Sequence, residues 1–194
     1  MLRNLALALT LVAGSAAAAS PAFGRPVAFD PGRSRMTVHV YKQGVFSFLA
    51  DDHVIDVPIA SGSYDDDLRS VELNVDATKM RVLDPQLPSA KRAAVQGNMS
   101  GAAVLDATTF PTISFRSTHF EDAGANRWNV TGTLTLHGQT HPLTVHLTRI
   151  DPTHFSGSAT VRQTDFGITP IEVAGGAVSV KDNVEIAFEV ALAP

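Results

Sequence analysis

LTLHGQTHPLTV, residues 134–145, decides the fold class of this chain. On both sides of Gly138 an apolar residue occupies every second position, which is typical of β-strands with one solvent face and one buried face. Two such runs separated by a glycine predict an antiparallel hairpin whose loop spans Gly138–His141. Pro142 opens the returning strand, where a missing N–H is tolerated.

The same alternation recurs through most of the chain, and clusters of Gly, Pro, Asn and Asp separate the alternating runs. The strands predicted in this way cover residues 27–41, 53–64, 71–76, 111–120, 128–136, 143–148, 154–165 and 184–192. About eight strands at this spacing predict an antiparallel barrel or sandwich.

One segment interrupts the strand pattern. Pro88–Leu105 is rich in Ala and carries interspersed basic and amide residues, a composition that favours helix. Gly97 and Gly101 fall inside it, so the sequence predicts one or two short helices. A helical insertion in an otherwise all-β chain is expected to lie over a barrel end or to form a cap.

The N-terminus has the features of a secretory signal peptide. Arg3 precedes an apolar run from Leu5 to Val12, and small residues follow, with an A-x-A arrangement at Ala17–Ala19 that suits signal peptidase. The run is shorter than the roughly 20 residues that a membrane span needs. We therefore expect cleavage of residues 1–19, one domain over residues 23–194, no transmembrane segment, and export to the periplasm.

Composition excludes several classes of function. The net charge of -4, with basic residues scattered along the chain, argues against a nucleic-acid partner. The absence of Cys excludes thiolate catalysis and Cys-ligated zinc. No G-x-S-x-G, S-x-x-K or H-E-x-x-H motif is present, although a triad built from distant residues stays open. We expect no enzymatic activity and no cofactor.

Two polar groups raise the question of a metal site. Zinc needs three or four converging N, S or O ligands, whereas only His137 and His141 are close together among the seven histidines, and the hairpin exposes both. The cluster of Asp51, Asp52 and His53 either ligates a cation or turns a loop, and the loop is favoured. We therefore expect no metal.

Five blocks, in order along the chain, resemble the YceI-like family of polyisoprenoid-binding proteins. The hairpin block VTGTLTLHGQTHPLTVHL, residues 130–147, is similar to that family's G-x-L-T-L-x-G-x-T-x-P hairpin. The other similar blocks are FDPGRSRMTVHV (29–40), MSGAAVLDATTFPTISFRST (99–118), RQTDFGI (162–168) and VSVKDNVEIAFEVAL (178–192).

The resemblance implies an all-β fold, a lipocalin-like antiparallel β-barrel of about eight strands with a short helical cap. It also implies an elongated apolar tunnel that holds an isoprenoid chain or a similar amphiphile. The chain departs from the family at Val104 and Leu105, where paired Phe is usual, and at Tyr41–Gln43, where a His is common.

The tunnel is implied by the resemblance alone, and apolar residues of the chain are the candidates for lining it. An eight-stranded barrel is wide enough either to be filled by side chains or to hold one small ligand, so each apolar candidate has core filling as its alternative. The tunnel candidates are Phe46, Phe48, Phe110, Phe115, Trp128, Leu134, Leu136, Phe155, Phe166, Ile168 and Phe188. Candidates for a polar mouth are Arg162, Asp165 and Asn183.

The function predicted is non-catalytic binding of an isoprenoid-type lipid or other amphiphile in the periplasm. Two alternatives stay open: a packed β-domain that binds a protein or carbohydrate partner on its outer face, and a His-dependent metal binder or hydrolase. A homodimer is compatible with the sequence.

Overall fold

The structure is a computed structural model that describes residues 25–67 and 69–194. The predicted signal peptide, residues 1–19, lies outside these ranges. Within them the protein has fourteen strands and one α-helix. The strands are β1 (Val27–Ala28), β2 (Arg35–Val40), β3 (Lys42–Gln43), β4 (His53–Asp56), β5 (Ile59–Asp65), β6 (Ser70–Asp76), β7 (Arg81–Val82), β8 (Thr112–Asp122), β9 (Arg127–Leu136), β10 (Gln139–Asp151), β11 (His154–Arg162), β12 (Glu172–Val173), β13 (Val178–Val180) and β14 (Asn183–Ala191).

The prediction of about eight strands is too low for two physical reasons. Five strands, namely β1, β3, β7, β12 and β13, are only two or three residues long, which is too short to show an alternation. In addition, the predicted strand 53–64 is divided into β4 and β5 around Val57 and Pro58, because proline lacks the N–H that a continuous ladder needs.

Eleven strands form one antiparallel sheet in the order β1-β5-β6-β8-β9-β10-β11-β14-β2-β4-β7, and β12, β13 and β3 form a small second sheet. The chain passes from β4, near one edge of the large sheet, directly into β5 near the other edge. The segment after β1 also bridges the two sides, because Phe29 N donates to Gly62 O (2.9 Å) and Asp30 N donates to Ala191 O (2.8 Å). The sheet therefore curls into a barrel.

The hairpin of β9 and β10 is tighter than the sequence predicts. Gln139 pairs with Leu136, so the loop contains only His137 and Gly138, and the predicted loop Gly138–His141 is wrong. Both loop residues have positive φ, 51° and 72°, which is the requirement of a type I′ turn matched to the twist of the strands. Pro142 lies within β10, opposite Thr133.

The helical segment forms a single α-helix, α1 (Ser89–Ser100). Gly97 lies within it and does not interrupt it, while Gly101 ends it, with its N–H donating to Gly97 O. The Gln96 side chain accepts from Val82 N (2.9 Å) and donates to Met80 O (3.0 Å). The helix therefore covers the β7 edge, whose backbone groups would otherwise be exposed.

The inner face of the barrel carries the alternating apolar residues. Along β14 the residues Val184, Ile186, Phe188 and Val190 share that face, and their neighbours on the same strand point outwards. Buried residues form two clusters, one beside α1 and one around Phe155 and Phe166. The two clusters do not meet in a solid core, because a cavity lies between them.

Candidate functional site

An apolar cavity runs through the barrel and has a volume of about 210 Å³. Among the described residues that line it, only Tyr64 and Gln163 have polar side-chain atoms. A void of this size costs about 5 kcal/mol at roughly 24 cal/mol per Å³. A cavity of about 150 Å³ with a comparable lining stays dry and binds benzene, so this cavity is suited to an apolar ligand rather than to water.

The barrel is hollow because large rings lie flat against its wall at inward-facing glycines. Gly157 pairs directly with Phe188, and a Cβ at Gly157 would lie 2.4 Å from the Phe188 ring and 2.5 Å from the backbone O of His146. Gly132 pairs with Ser117 rather than with Phe115, but a Cβ at Gly132 would also lie 2.5 Å from the Phe115 ring. Each glycine therefore accepts a ring that would otherwise project towards the barrel axis.

The cavity has two ends of different chemistry. We call them the Gln163 end, where Val40, Gln163 and Val184 lie, and the Tyr64 end, where Tyr64 and Phe155 lie. Phe155 and Gln163 are eight residues apart, and β11 with its continuation spans about 27 Å between them at 3.4 Å per residue. The residues that line the cavity thus come from both ends of β11.

At the Gln163 end the wall is closed by uncharged contacts. Gln163 begins a 3-10 turn that ends at Phe166, and its side-chain Nε2 donates to Lys181 O (2.9 Å). The ring of His141 packs against Phe166 with centroids 5.2 Å apart, and His137 Nδ1 lies 3.1 Å from Phe166 O. The hairpin tip is therefore packed onto this turn.

At the Tyr64 end a charged side chain lies on the inner face. Arg149 pairs with Phe155 across β10 and β11, and directly paired residues point to the same side of a sheet. Its guanidinium carbon lies 5.9 Å, 5.5 Å and 5.3 Å from the ring centroids of Tyr64, Trp128 and Phe155. These separations are within the range of cation–π attraction.

Hydrogen bonds connect this arginine to the loop after β5. Arg149 Nη2 donates to the Tyr64 hydroxyl (3.0 Å) and to Asp66 Oδ1 (2.8 Å), and the Tyr64 hydroxyl donates to Asp66. Burial, followed by the hydrogen bond to Asp66, raises the pKa of Tyr64 to about 12. The phenol therefore stays protonated and remains a donor at neutral pH.

Six of the eleven tunnel candidates line the cavity: Phe115, Leu134, Leu136, Phe155, Ile168 and Phe188. They come from β8, β9, β11 and β14 and from the turn after β11. The structure brings them together around one space, and their part in ligand binding stays a prediction.

The structure places the other five tunnel candidates outside the cavity lining. Phe46 and Phe48 stack edge to face on a loop and are 48% and 72% exposed, because they precede β4 in a segment with no strand alternation. Phe110 lies under the hairpin tip beside His137. Trp128 lies beneath Arg149, and Phe166 is buried behind the lining against His141.

The three polar-mouth candidates lie together, but on the outside of the barrel. Arg162 pairs with Asn183 across the ladder, and its guanidinium contacts Asp182 (3.0 Å) and Asp165 (3.9 Å). Arg162 and Asn183 point away from the lining, because Arg162 alternates with the inward Val161 and Gln163, and Asp165 is exposed on the turn after β11. Their proposed role at a mouth is therefore not supported by their position.

The histidines and the cluster of residues 51–53 serve local structure. His137 and His141 are half-buried, so the expectation that both are exposed is wrong. His53 Nδ1 lies 2.6 Å from Asp84 Oδ2, and Asp84 is 1% exposed and accepts from Val54 N. Asp51 pairs with Lys91 (2.5 Å), whose hydrogen bond lowers the pKa of that carboxyl.

Two absences hold for the part of the chain that the structure describes. No group of three or more His, Cys, Asp or Glu side chains is arranged to hold a metal ion. No helix is long and apolar enough to cross a membrane.

Two inward-facing features, Arg149 and the pair Gly132 and Gly157, are not predicted from the sequence although each leaves a signal there. Arg149 continues the inward count of Leu143, Val145 and Leu147, so a charge falls on an apolar position. Gly132 and Gly157 also fall on inward positions of apolar runs, where a side chain is expected to pack. A charged residue or a glycine at a position where the alternation predicts a buried apolar side chain is the pattern that could have indicated the Tyr64 end and the hollow interior.

Comparison with known proteins places this fold. A family model described as a YceI-like domain matches residues 28–192. A UPF0312 protein of Vibrio cholerae is 34% identical over 108 residues, a match that covers 51% of this chain and 53% of that protein. The chain thus spans about half the length of the relatives of this kind that it matches.

Two solved structures share the architecture. BcnA of Burkholderia cenocepacia superposes with a TM-score of 0.61 at 21% identity, covering 86% of this chain and 99% of BcnA. A polyisoprenoid binding domain from Saccharophagus degradans, implicated in plant cell wall breakdown, superposes with a TM-score of 0.58 at 13% identity, covering 88% of this chain and 100% of that domain. At these identities the likeness concerns the fold alone.

Proposed function

This chain belongs to the YceI-like family, and from that premise we propose that it is a non-catalytic carrier that buries the chain of an isoprenoid-type lipid or a similar amphiphile in its barrel. We further propose that it works in the periplasm after removal of residues 1–19. The observation that carries the proposal is the cavity, which is apolar over nearly its whole lining and is lined by residues from both ends of β11.

The size of the cavity sets the length of chain that fits. Scaling from the cavity of about 150 Å³ that accepts the six carbons of benzene, a volume of about 210 Å³ holds roughly eight to ten carbons, or about two isoprene units. Ten buried methylene-sized groups contribute on the order of 8 kcal/mol. Association costs about 4 to 15 kcal/mol, so affinity depends strongly on how much of the chain is buried.

A series of isoprenoid alcohols of increasing length tests this proposal. Affinity is measured for isopentenol, geraniol, farnesol and geranylgeraniol by displacement of a fluorescent apolar dye. We expect affinity to rise steeply up to about ten carbons and then to level off, because additional carbons remain outside the cavity. Absence of binding by all four alcohols, with the protein folded, contradicts the carrier proposal.

One observation favours a second candidate, a partner bound on the outer face. Val45, Phe46 and Phe48 are exposed on one loop, with Val45 83% exposed, and exposed apolar patches often mark binding surfaces. This candidate predicts that Phe48→Ser abolishes partner binding and leaves the alcohol affinities unchanged. The carrier proposal is favoured because an empty cavity lowers the stability of the fold. Binding on the outer face gives no reason for such a cavity, whereas binding of a lipid chain does.

A further inference from the structure

At the Tyr64 end a charged side chain lies beside the apolar cavity. Placing a charge among apolar groups costs free energy unless the charge is paired and hydrogen-bonded. Arg149 points inwards from β10, where three rings surround its guanidinium. A guanidinium has five N–H donors and no acceptor. Its hydrogen bonds to Tyr64 and Asp66 both come from one nitrogen, Nη2.

A second observation indicates a missing acceptor. Among the residues that the structure describes, the buried Arg149 Nε has no hydrogen-bond partner, although buried polar groups in folded proteins are nearly always paired. Leaving a buried donor unpaired weakens the fold. An oxygen that reaches the guanidinium along the barrel interior would supply such a partner.

A third observation is that the apolar cavity adjoins a polar pocket at this end. The outer pocket has a volume of about 590 Å³, and Tyr64 lines both it and the apolar cavity. Four carboxylate residues, Asp65, Asp66, Asp67 and Asp151, line the outer pocket against two arginines, Arg25 and Arg149. The surroundings are therefore acidic, and they disfavour a phosphate or other anion.

We propose that Arg149 and Tyr64 form the head-group site of the cavity, which accepts an uncharged head group with a carbonyl or hydroxyl oxygen while the apolar chain fills the barrel. The inference rests on the proposed function and names its ligand class. The oxygen accepts from the guanidinium. The Tyr64 hydroxyl, whose proton goes to Asp66, accepts from Arg149 and holds the guanidinium in position. An isoprenoid alcohol or quinone fits this chemistry, whereas an isoprenoid phosphate does not.

The test compares farnesol with farnesyl phosphate on the full chain and on three variants. Arg149→Met removes the donors and keeps an apolar stem, and Tyr64→Phe keeps the ring and its packing. Arg162→Met is the matched control, because Arg162 is also ion-paired but lies on the outer face near the Gln163 end. The emission of Trp128, the single Trp of the chain, reports on this end directly because its ring lies 5.5 Å from the guanidinium.

We expect the wild type to bind farnesol at least tenfold more tightly than farnesyl phosphate. Loss of a hydrogen bond to a charged group predicts about tenfold weaker farnesol binding for Arg149→Met, and about threefold weaker binding for Tyr64→Phe. Arg162→Met leaves the affinity unchanged. Farnesol changes the Trp128 emission of the wild type, and this change is reduced in Tyr64→Phe.

Three results separate failure of this site from failure of the carrier proposal. Farnesol binding that is unaffected by both Arg149→Met and Tyr64→Phe overturns the head-group site and leaves the carrier proposal intact. Farnesyl phosphate that binds as tightly as farnesol overturns the assignment of an uncharged head group. Lack of binding by either compound contradicts the carrier proposal itself. If Arg149→Met does not fold, Tyr64→Phe alone decides the question.

Discussion

The two ends of the cavity are closed by different chemistry. At the Gln163 end an uncharged amide belongs to a 3-10 turn, and its hydrogen bond goes to the backbone of Lys181. At the Tyr64 end a guanidinium lies over three rings and is tied to Asp66 on the loop after β5. The Gln163 end is held by local backbone contacts. The Tyr64 end contains a guanidinium, to which the apolar lining offers no hydrogen-bond acceptor.

This difference indicates a direction for the ligand. An apolar chain has no reason to prefer either orientation inside a uniformly apolar cavity, so the polar groups at its ends determine which way it lies. The Tyr64 end has the stronger donors and adjoins a polar pocket, which suits a head group. The Gln163 end is then the end that receives the distal carbons of the chain.

The largest expected effect comes from separating the two ends. Ala159 lines the cavity midway along β11, and Ala159→Phe places a ring in the space that connects them. Loss of about four buried methylene-sized contacts predicts an affinity for farnesol about 100-fold lower. Binding is measured by dye displacement, with Tm as the check on folding.

A matched variant on the outer face controls for the added ring. Ala187 is exposed on β14 beside β11, so Ala187→Phe is expected to leave farnesol affinity within twofold of wild type. Equal affinities for the two variants would show that the barrel interior is not where the chain binds.

The wall between the ends is tested next. Gly157→Ala forces a Cβ against the Phe188 ring and the backbone O of His146, and overpacking of this kind costs about 1 to 3 kcal/mol in the free energy of unfolding. Gly97→Ala serves as the control, because nothing lies within 4 Å of the added Cβ in α1 and alanine favours helix by about 0.5 to 1 kcal/mol. In urea unfolding, Gly157→Ala should lower the free energy of unfolding and Gly97→Ala should raise it. Stabilisation by Gly157→Ala would refute the proposed packing of rings on glycines.

A smaller effect isolates the hydroxyl at the Tyr64 end. Tyr64→Phe removes the bonds to Asp66 and Arg149 without changing the ring, and loss of a partly buried hydrogen bond predicts destabilisation of about 1 kcal/mol. Tyr41→Phe is the control, because the Tyr41 hydroxyl bonds Glu185 at the exposed surface. Urea unfolding that shows equal losses for both variants would mean that the Tyr64 cluster contributes no more than a surface contact.

The smallest effect concerns acid stability at the outer pocket. The backbone N–H of Thr153, followed by the His154 side chain, lowers the pKa of Asp151 to about 2 from its ordinary value of 3.8. A carboxyl with a lowered pKa in the folded state stabilises the protein above about pH 3.8 and loses that contribution as the pH falls towards 2. Asp151→Asn should therefore flatten the fall in unfolding free energy between pH 4 and pH 2, measured by urea titration at several pH values. If the unfolding free energy of wild type and of Asp151→Asn falls equally steeply with pH, Asp151 is not a source of this acid sensitivity.

The sequence predicts the strands of the barrel far better than it predicts whether the interior is filled by side chains. Alternation of period two identifies β9, β10, β11 and β14 because each has one buried face, and the five family-like blocks indicate their order. The same alternation results whether inward side chains meet at the axis or lie along the wall, so it does not distinguish a hollow barrel from a filled one.

The errors have a common physical cause. The residue type of Phe46 and Phe48 favours a tunnel lining, but the segment between β3 and β4 has no alternation to orient them, and both are exposed. Arg162 was selected by its block, whereas its position beside the inward Val161 already assigns it to the outer face. Arg149 has the spacing of the inward residues Val145 and Leu147, but a charge is not expected on a buried face, and the strand register establishes that it points inwards.

Crystals under xenon pressure test the central claim, that the barrel is hollow, apolar and dry, most directly. Xenon enters dry apolar cavities without needing a specific contact. We predict xenon density inside the barrel among Phe115, Ala159 and Phe188, and its loss in Ala159→Phe. A barrel interior that is filled by its own side chains and takes up no xenon would contradict the account.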